Sequence, residues 1–202
     1  MEPKEPVLKL ALREDWDSLA PAIRAHYGIA PFTRQQIRVE GTMHKVSHSA
    51  YAKLLMPFAR LAGALIPFQG REVPVHVVNY SRPDRPGYFW ERVFHFPGRK
   101  PLPFPSHMVC SGDHEITEFV RFGFGIRLKL SVKDGALIEA DRGYVLSLGP
   151  ISVPLPINLM MGWASIEESP VTATEFDMKM ALRHPVFGET FAYNGRFTIV
   201  AP

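Results

Sequence analysis

From Val73 onward apolar residues recur at every second position, whereas before it most recur at helical spacing. Leu19, Ala22, Ile23 and His26 form one helical stripe, with Ser18 placed to cap it, Pro21 tolerated in the first turn and Gly28 at the C′ position. Residues 36–46 then alternate. Ile37, Val39, Gly41 and Met43 share one face and Arg38, Glu40, Thr42 and His44 the other, which predicts a half-buried strand. Residues 50–68 return to helical spacing, with Tyr51, Leu54, Leu55, Phe58, Leu61, Ala62 and Leu65 on a wide apolar face. Lys53 and Arg60 are its only charges, and Pro57 must kink or split it.

The second part of the chain reads as consecutive hairpins. Strands at 73–80 and 88–96 flank the turn residues 81–87, and strands at 106–110 and 115–121 flank Ser111, Gly112 and Asp113. Ile126, Leu128, Leu130 and Val132 alternate with Arg127, Lys129 and Ser131 before a tight turn at Lys133, Asp134 and Gly135 leads into 136–146. In 174–182, Phe176, Met178, Met180 and Leu182 share a face, as do Phe191, Tyr193, Gly195, Phe197 and Ile199 in 189–200. Eight or nine such strands predict an α+β fold, a long antiparallel β-meander curled into a barrel or half-barrel, because curling removes exposed edges. Two N-terminal helices would cover or plug it. Residues 1–17 read as an N-terminal extension and 18–202 as a single domain.

Composition narrows the functional classes. The 202 residues are 46% hydrophobic and 21% charged, which excludes disorder and supports one sizeable core. A net charge of +3 with no block of like charges gives no basic stripe and argues against a nucleic-acid partner. Cys110, the only cysteine, can form neither an internal disulfide nor a cysteine metal cluster, and reads as a buried small hydrophobe. Charges scattered through residues 1–14 leave no signal-peptide core, so the expectation is a cytoplasmic protein without a transmembrane segment. The 19 prolines favour short strands with irregular joints over a helical bundle.

One segment stands apart. Residues 143–166 carry no charge, yet Gly149, Pro150, Pro154, Pro156 and Gly162 interrupt any membrane-spanning helix. The readings that remain open are two strands joined by a buried or semi-buried extended loop, or else a hydrophobic lid at a ligand cavity or a patch that touches a membrane or a partner. Met160 and Trp163 are its candidate contact residues.

Signatures of chemistry are sparse. No Walker loop, nucleophile elbow, HExxH or CxxC occurs, and Gly123-Phe124-Gly125 reads as a bend in a sheet. His44 and His48 would share a strand face but lack a third ligand, so neither a metal nor a cofactor is expected. Glu115 and Glu118 fall on opposite faces of a strand, which speaks against a paired-carboxylate device. Trp90, Arg92 and Phe94 share a face. Arg92 is either a stacked surface residue or an anchor for an anionic head group.

Several short motifs resemble a known family. They are His26-Tyr27-Gly28, then Pro31-Phe32-Thr33-Arg34, then Trp90-x-Arg92-x-Phe94, and His184-Pro185-x-Phe187-Gly188 before Tyr193-x-Gly195. Together they are similar to the bacterial domain of unknown function 4166, from about Ser18 almost to the end. The resemblance implies a domain that stands alone or follows saccharopine-dehydrogenase-like nucleotide-binding domains, and it brings no catalytic residues. The expanded stretch 97–105 departs from the tighter hairpin that the resemblance implies.

Two functions follow as expectations. The first is a binding module for an apolar or amphipathic small molecule, like lipid-binding barrels, with His26, Trp90, Arg92, Phe94, Met160, Trp163 and His184 at the ligand. The second is an enzyme, an isomerase, cyclase or hydrolase, using His26, Arg92 or His184. A cavity-free interaction domain is the third option, and nothing in the pattern sets an oligomeric state.

Overall fold

The computed structural model describes residues 5–63, 65–149 and 151–201. The side chains of Phe58, Arg60, Leu61 and Ala62, expected to complete the second helical region, lie outside the described ones, as does Pro150 of the uncharged segment.

The chain runs through α1 (Val7–Leu12), a 3-10 turn (Arg13–Ser18), α2 (Pro21–Tyr27), β1 (Gln36–His48) and α3 (Ala50–Ala62). The strands β2 (Gly70–Arg82), β3 (Arg85–Phe94), β4 (Leu102–Gly112), β5 (Glu115–Phe119), β6 (Phe124–Lys133) and β7 (Ala136–Leu148) follow, with a 3-10 turn at Arg121–Gly123. After β8 (Ile151–Leu155) and α4 (Asn158–Met161) come β9 (Trp163–Pro170), β10 (Glu175–His184) and β11 (Gly188–Ala201). All strand pairs are antiparallel, in the order β6-β5-β4-β3-β2-β1-β11-β10-β9-β7, and β7 pairs back onto β6. The result is a closed ten-stranded barrel, with β8 as a hairpin flap on the far half of β7. Closure leaves no edge in the barrel wall, which a half-barrel would expose.

Alternation does the building. Phe176, Leu182, Phe191 and Phe197 are buried along two neighbouring strands, and Leu128, Leu130 and Leu137 along two others. Gly41 gives up its side chain to the Phe197 ring, into which a Cβ would collide. The connection 95–101 is long, yet β4 resumes directly opposite Phe94 at Leu102. Pro103 and Pro105 pair only with β3, on a stretch of β4 beyond the reach of β5, so their missing N–H groups break no ladder.

Because the strands are antiparallel neighbours, their connections fall at two opposite ends. One end is plugged. α1 packs on β4, β5 and β6, α2 packs on β9 and β10, and Ala20 N–H donates to Gly135 O in the β6–β7 turn. The first seventeen residues supply Val7, Leu8, Ala11, Leu12 and Trp16 to the core. At the other end lie α3, α4 and the β7–β8 hairpin. Among the described residues no helix is long and apolar enough to cross a membrane.

Local details differ from the sequence pattern. Ser18 closes the 3-10 turn instead of capping α2, whose N-cap is Ala20 with Pro21 as its first residue, and Gly28 ends it at φ −77°, outside the left-handed region. Leu54, expected on the apolar face of α3, is exposed, because the helix caps one end of the barrel and leaves this side without a neighbour. A bulge between Met43 and Lys45 shifts the register of β1 against β11. His44 then pairs with Glu72 at 3.2 Å, whereas His48 bonds Ile66 O at 2.9 Å. Cys110 is exposed, not buried, because β4 has left the core two residues after Met108 and is entering its turn.

Candidate functional site in the barrel

The barrel is hollow. A cavity of about 690 Å³ runs inside it, in the size range of small-molecule sites. Met43, Val75, Phe94, Met180, Leu182 and Phe191 stand on its walls, and His26 and Tyr27 from α2 form the floor at the plugged end. Phe122 and Met160 line it and are also exposed to solvent, so the mouth lies at the opposite end, between the Arg121–Gly123 turn and α4.

Four charged residues line this apolar space: Arg92, Glu118, Glu139 and Glu168. Arg92 is held through two of its three nitrogens. Its Nη2 meets Glu118 Oε1 at 2.7 Å and donates to Ser106 Oγ, its Nε reaches Phe104 O at 3.4 Å, and its guanidinium lies over the Trp90 and Phe104 rings. Among the described residues Nη1 makes no hydrogen bond, so three of the five guanidinium donors are satisfied within the protein.

Glu168 differs. Tyr27 Oη donates to its Oε1 at 2.9 Å, but its Oε2 is buried and has no partner among the described residues. Burial pushes this carboxyl up to about 7, against the opposing pull of Tyr27 and Arg92. Glu139 accepts no hydrogen bond among the described residues, and burial, then Glu168 and Glu118, hold its carboxyl well above the usual range. Burial therefore favours the protonated, hydrogen-bond-donating form of Glu139, beside a carboxyl pushed up to about 7.

The floor is set by α2. Asn79 Nδ2 donates to His26 Nδ1 at 3.3 Å, which leaves the ring hydrogen on Nε2, and burial lowers the imidazole to about 3. Tyr88 Oη donates to the His26 carbonyl, locking the end of the helix, while Asn79 Oδ1 stays buried without a partner. Tyr193 also lines the cavity, and burial holds its phenol protonated.

Among the described residues the interior offers three carboxyl groups against one guanidinium, which is already paired with Glu118. A guest with a cationic or hydrogen-bond-donating end satisfies Glu168 Oε2, whereas an anion meets only like charge.

Of the residues expected at a ligand, the fold brings together His26, Trp90, Arg92, Phe94 and Met160 on the cavity wall. Trp163 and His184 are not among its lining residues. Trp163 opens β9 on the outside, half exposed. His184 ties loops together, with Nε2 donating to Leu159 O at 3.1 Å and Nδ1 accepting from Val186 N at 3.1 Å. The uncharged segment forms the end of β7, β8, α4 and the start of β9, and α4 sets Met160 and Met161 at the mouth. Asp141 Oδ2 holds α4 to the wall, accepting from Asn158 Nδ2 at 2.9 Å and Ala164 N at 3.1 Å.

The sequence pattern missed Tyr27, Glu139 and Glu168, and it left Glu118 as half of a rejected pair. A signal existed for Glu139. The turn at Asp134 and Gly135 sets Leu130 opposite Glu139, so this glutamate had to share the inward face of Leu130. Glu168 lies opposite both Leu137 and Met178, but its partner strands are not all adjacent in sequence, so no local turn reveals it.

Residues 19–197 match the family described as "Domain of unknown function (DUF4166)", and the chain belongs to that family. No curated protein and no solved structure matches it.

Proposed function

From that membership, which names no activity, we propose that the barrel binds one amphipathic small molecule. Its apolar part lies along Met43, Met178, Met180 and Phe191, and its polar end, a cation or a hydrogen-bond donor, meets Glu168 and Glu139 near the floor. The observation that carries this reading is the Glu168 carboxyl, which lines the cavity and whose buried Oε2 has no partner among the described residues. An unmet acceptor of this kind costs about 1–3 kcal/mol, which a suitable guest restores. Methionine walls suit an elongated, adaptable guest. Arg92 is already charge-paired with Glu118, which weakens it as an anchor for an anionic head group.

A competition experiment tests this. Nile red, a neutral polarity-sensitive dye, should bind saturably at one per chain. Decylamine and decanol should then displace it, and decanoate should be weaker than decylamine by roughly tenfold or more. If Nile red does not saturate, the cavity is not a binding site. If it does and decanoate competes best, the polar end has been assigned the wrong sign.

One observation favours the enzyme reading: Glu139, whose burial favours its protonated form, beside Glu168, whose carboxyl is pushed up to about 7. Such a pair suits an isomerisation in which Glu168 takes a proton from an activated carbon and the proton returns to another carbon of the same molecule. The molecule keeps its composition, and no co-reactant is consumed. Incubating an unsaturated ketone with the protein in D2O tests it. Deuterium at the shifted position, lost in Glu168→Gln, is expected, and no exchange above buffer rejects it.

A further inference from the structure

Large exposed apolar side chains are concentrated at one end of this barrel. Leu54, Phe122, Leu148, Ile151, Leu159 and Val186 all stand at the open end, on separate segments around the mouth. Leu159 is 69% exposed and Val186 78%. Phe122 and Met160 line the cavity as well, so this patch is continuous with its opening. A soluble surface rarely leaves so many tips bare without a partner.

The open-end connections 49–69, 95–101, 120–123, 149–162 and 185–187 contain no Asp or Glu. They carry Lys53, Arg99, Lys100 and Arg121, all exposed. The plugged end is of mixed sign, exposing Asp17, Asp84, Asp113 and Asp134 alongside Arg13, Arg34, Arg85 and Lys133. Apolar tips inside a basic collar complement an anionic bilayer, where the tips enter the acyl region and the Lys and Arg side chains stay at the head groups. A second copy docked face to face would bring two basic collars together, which disfavours a two-fold dimer through this end.

We propose that the open end of the barrel docks on an anionic lipid surface, which places the cavity mouth against the bilayer. This surface stands on its own residues and does not require the ligand assignment above, although together they give a guest a route from membrane to barrel.

Vesicle flotation with the full chain tests the docking. Vesicles of phosphatidylcholine with phosphatidylglycerol should bind the protein about tenfold more tightly than phosphatidylcholine alone, and added salt should weaken that preference. Leu159→Glu and Ile151→Glu should each weaken binding by about tenfold, since each removes an inserted tip and adds repulsion. Val171→Glu, at an exposed site of the plugged end, should leave it unchanged. All three side chains are exposed, so circular dichroism should report an intact fold. Absence of vesicle binding, equal affinity for both vesicles, or equal loss with Val171→Glu would overturn the proposal. So would a dimer that Leu159→Glu dissociates, which would seat a second copy on this end.

Discussion

Tyr27 Oη donates to Glu168 Oε1 at 2.9 Å across 141 residues of sequence, joining the plug helix α2 to the barrel wall and leaving Oε2 buried without a partner among the described residues. This bond stabilises the charged form of the carboxylate, opposing the burial that raises it. Tyr27→Phe keeps the ring in place and removes only the donor. The Glu168 carboxyl should then titrate above its present value of about 7, at a stability cost of about 1 kcal/mol. An infrared titration of the carboxyl stretch, with Glu168→Gln as the blank, measures this. An unchanged or lower midpoint would show that the bond does not form.

Stability should depend on pH in two opposed ways. Glu168 rises from 4.5 to about 7 on folding, so the folded state holds the extra proton in that window, and its contribution is lost as pH rises from 4.5 through 7. His26 falls from 6.5 to about 3, so its contribution is lost as pH falls from 6.5 through 3. Glu168→Gln removes the first limb alone. Relative to wild type it should gain stability between pH 5 and pH 8, on the order of 3 kcal/mol at most. Thermal melts at both values test this. A difference that stays constant or shrinks with pH would contradict the assignment of Glu168.

Arg92 and Glu118 form a pair whose side chains are only 15% and 16% exposed. Arg92→Met leaves Glu118 without its partner and should cost about 3–5 kcal/mol. Adding Glu118→Gln should recover much of that loss, because it removes the stranded charge. Urea unfolding of both variants gives the comparison. A double variant as unstable as the single one would mean that Arg92 acts through packing on Trp90 and Phe104 instead.

Cys110 is exposed near the β4–β5 turn, with its thiol 3.6 Å from Gly112 O. A bulky aromatic disulfide reagent should label it fully in the native state, within minutes at mildly alkaline pH. Labelling that waits for denaturant would place β4 differently.

How far the sequence pattern reached depended on whether a feature was local. The hairpin of β6 and β7 was legible because its turn residues and its alternation agree, and the inward set Phe176, Met178, Met180 and Leu182 was correct because β10 has no bulge before Leu182. Cys110 was misplaced because parity assigns a face but not where a strand leaves the barrel. The same blindness put Leu54 inside. The carboxylates were overlooked for a different reason. A glutamate among inward hydrophobes looks like a break in the pattern, and only closure of β7 on β9 brings Glu139 and Glu168 into one cavity. Arg92 was found, but its partner Glu118 sits two strands away and could not be paired with it in advance.

The central claim is that the barrel holds a guest with its polar end down, and a crystal structure of the protein soaked with decylamine tests it most directly. The account predicts one molecule per barrel, its nitrogen within hydrogen-bond distance of Glu168 Oε2, and its chain rising past Met178 and Met180 toward Met160. A barrel without density for the chain, or an amine nitrogen at the mouth with its tail on the floor, would contradict it.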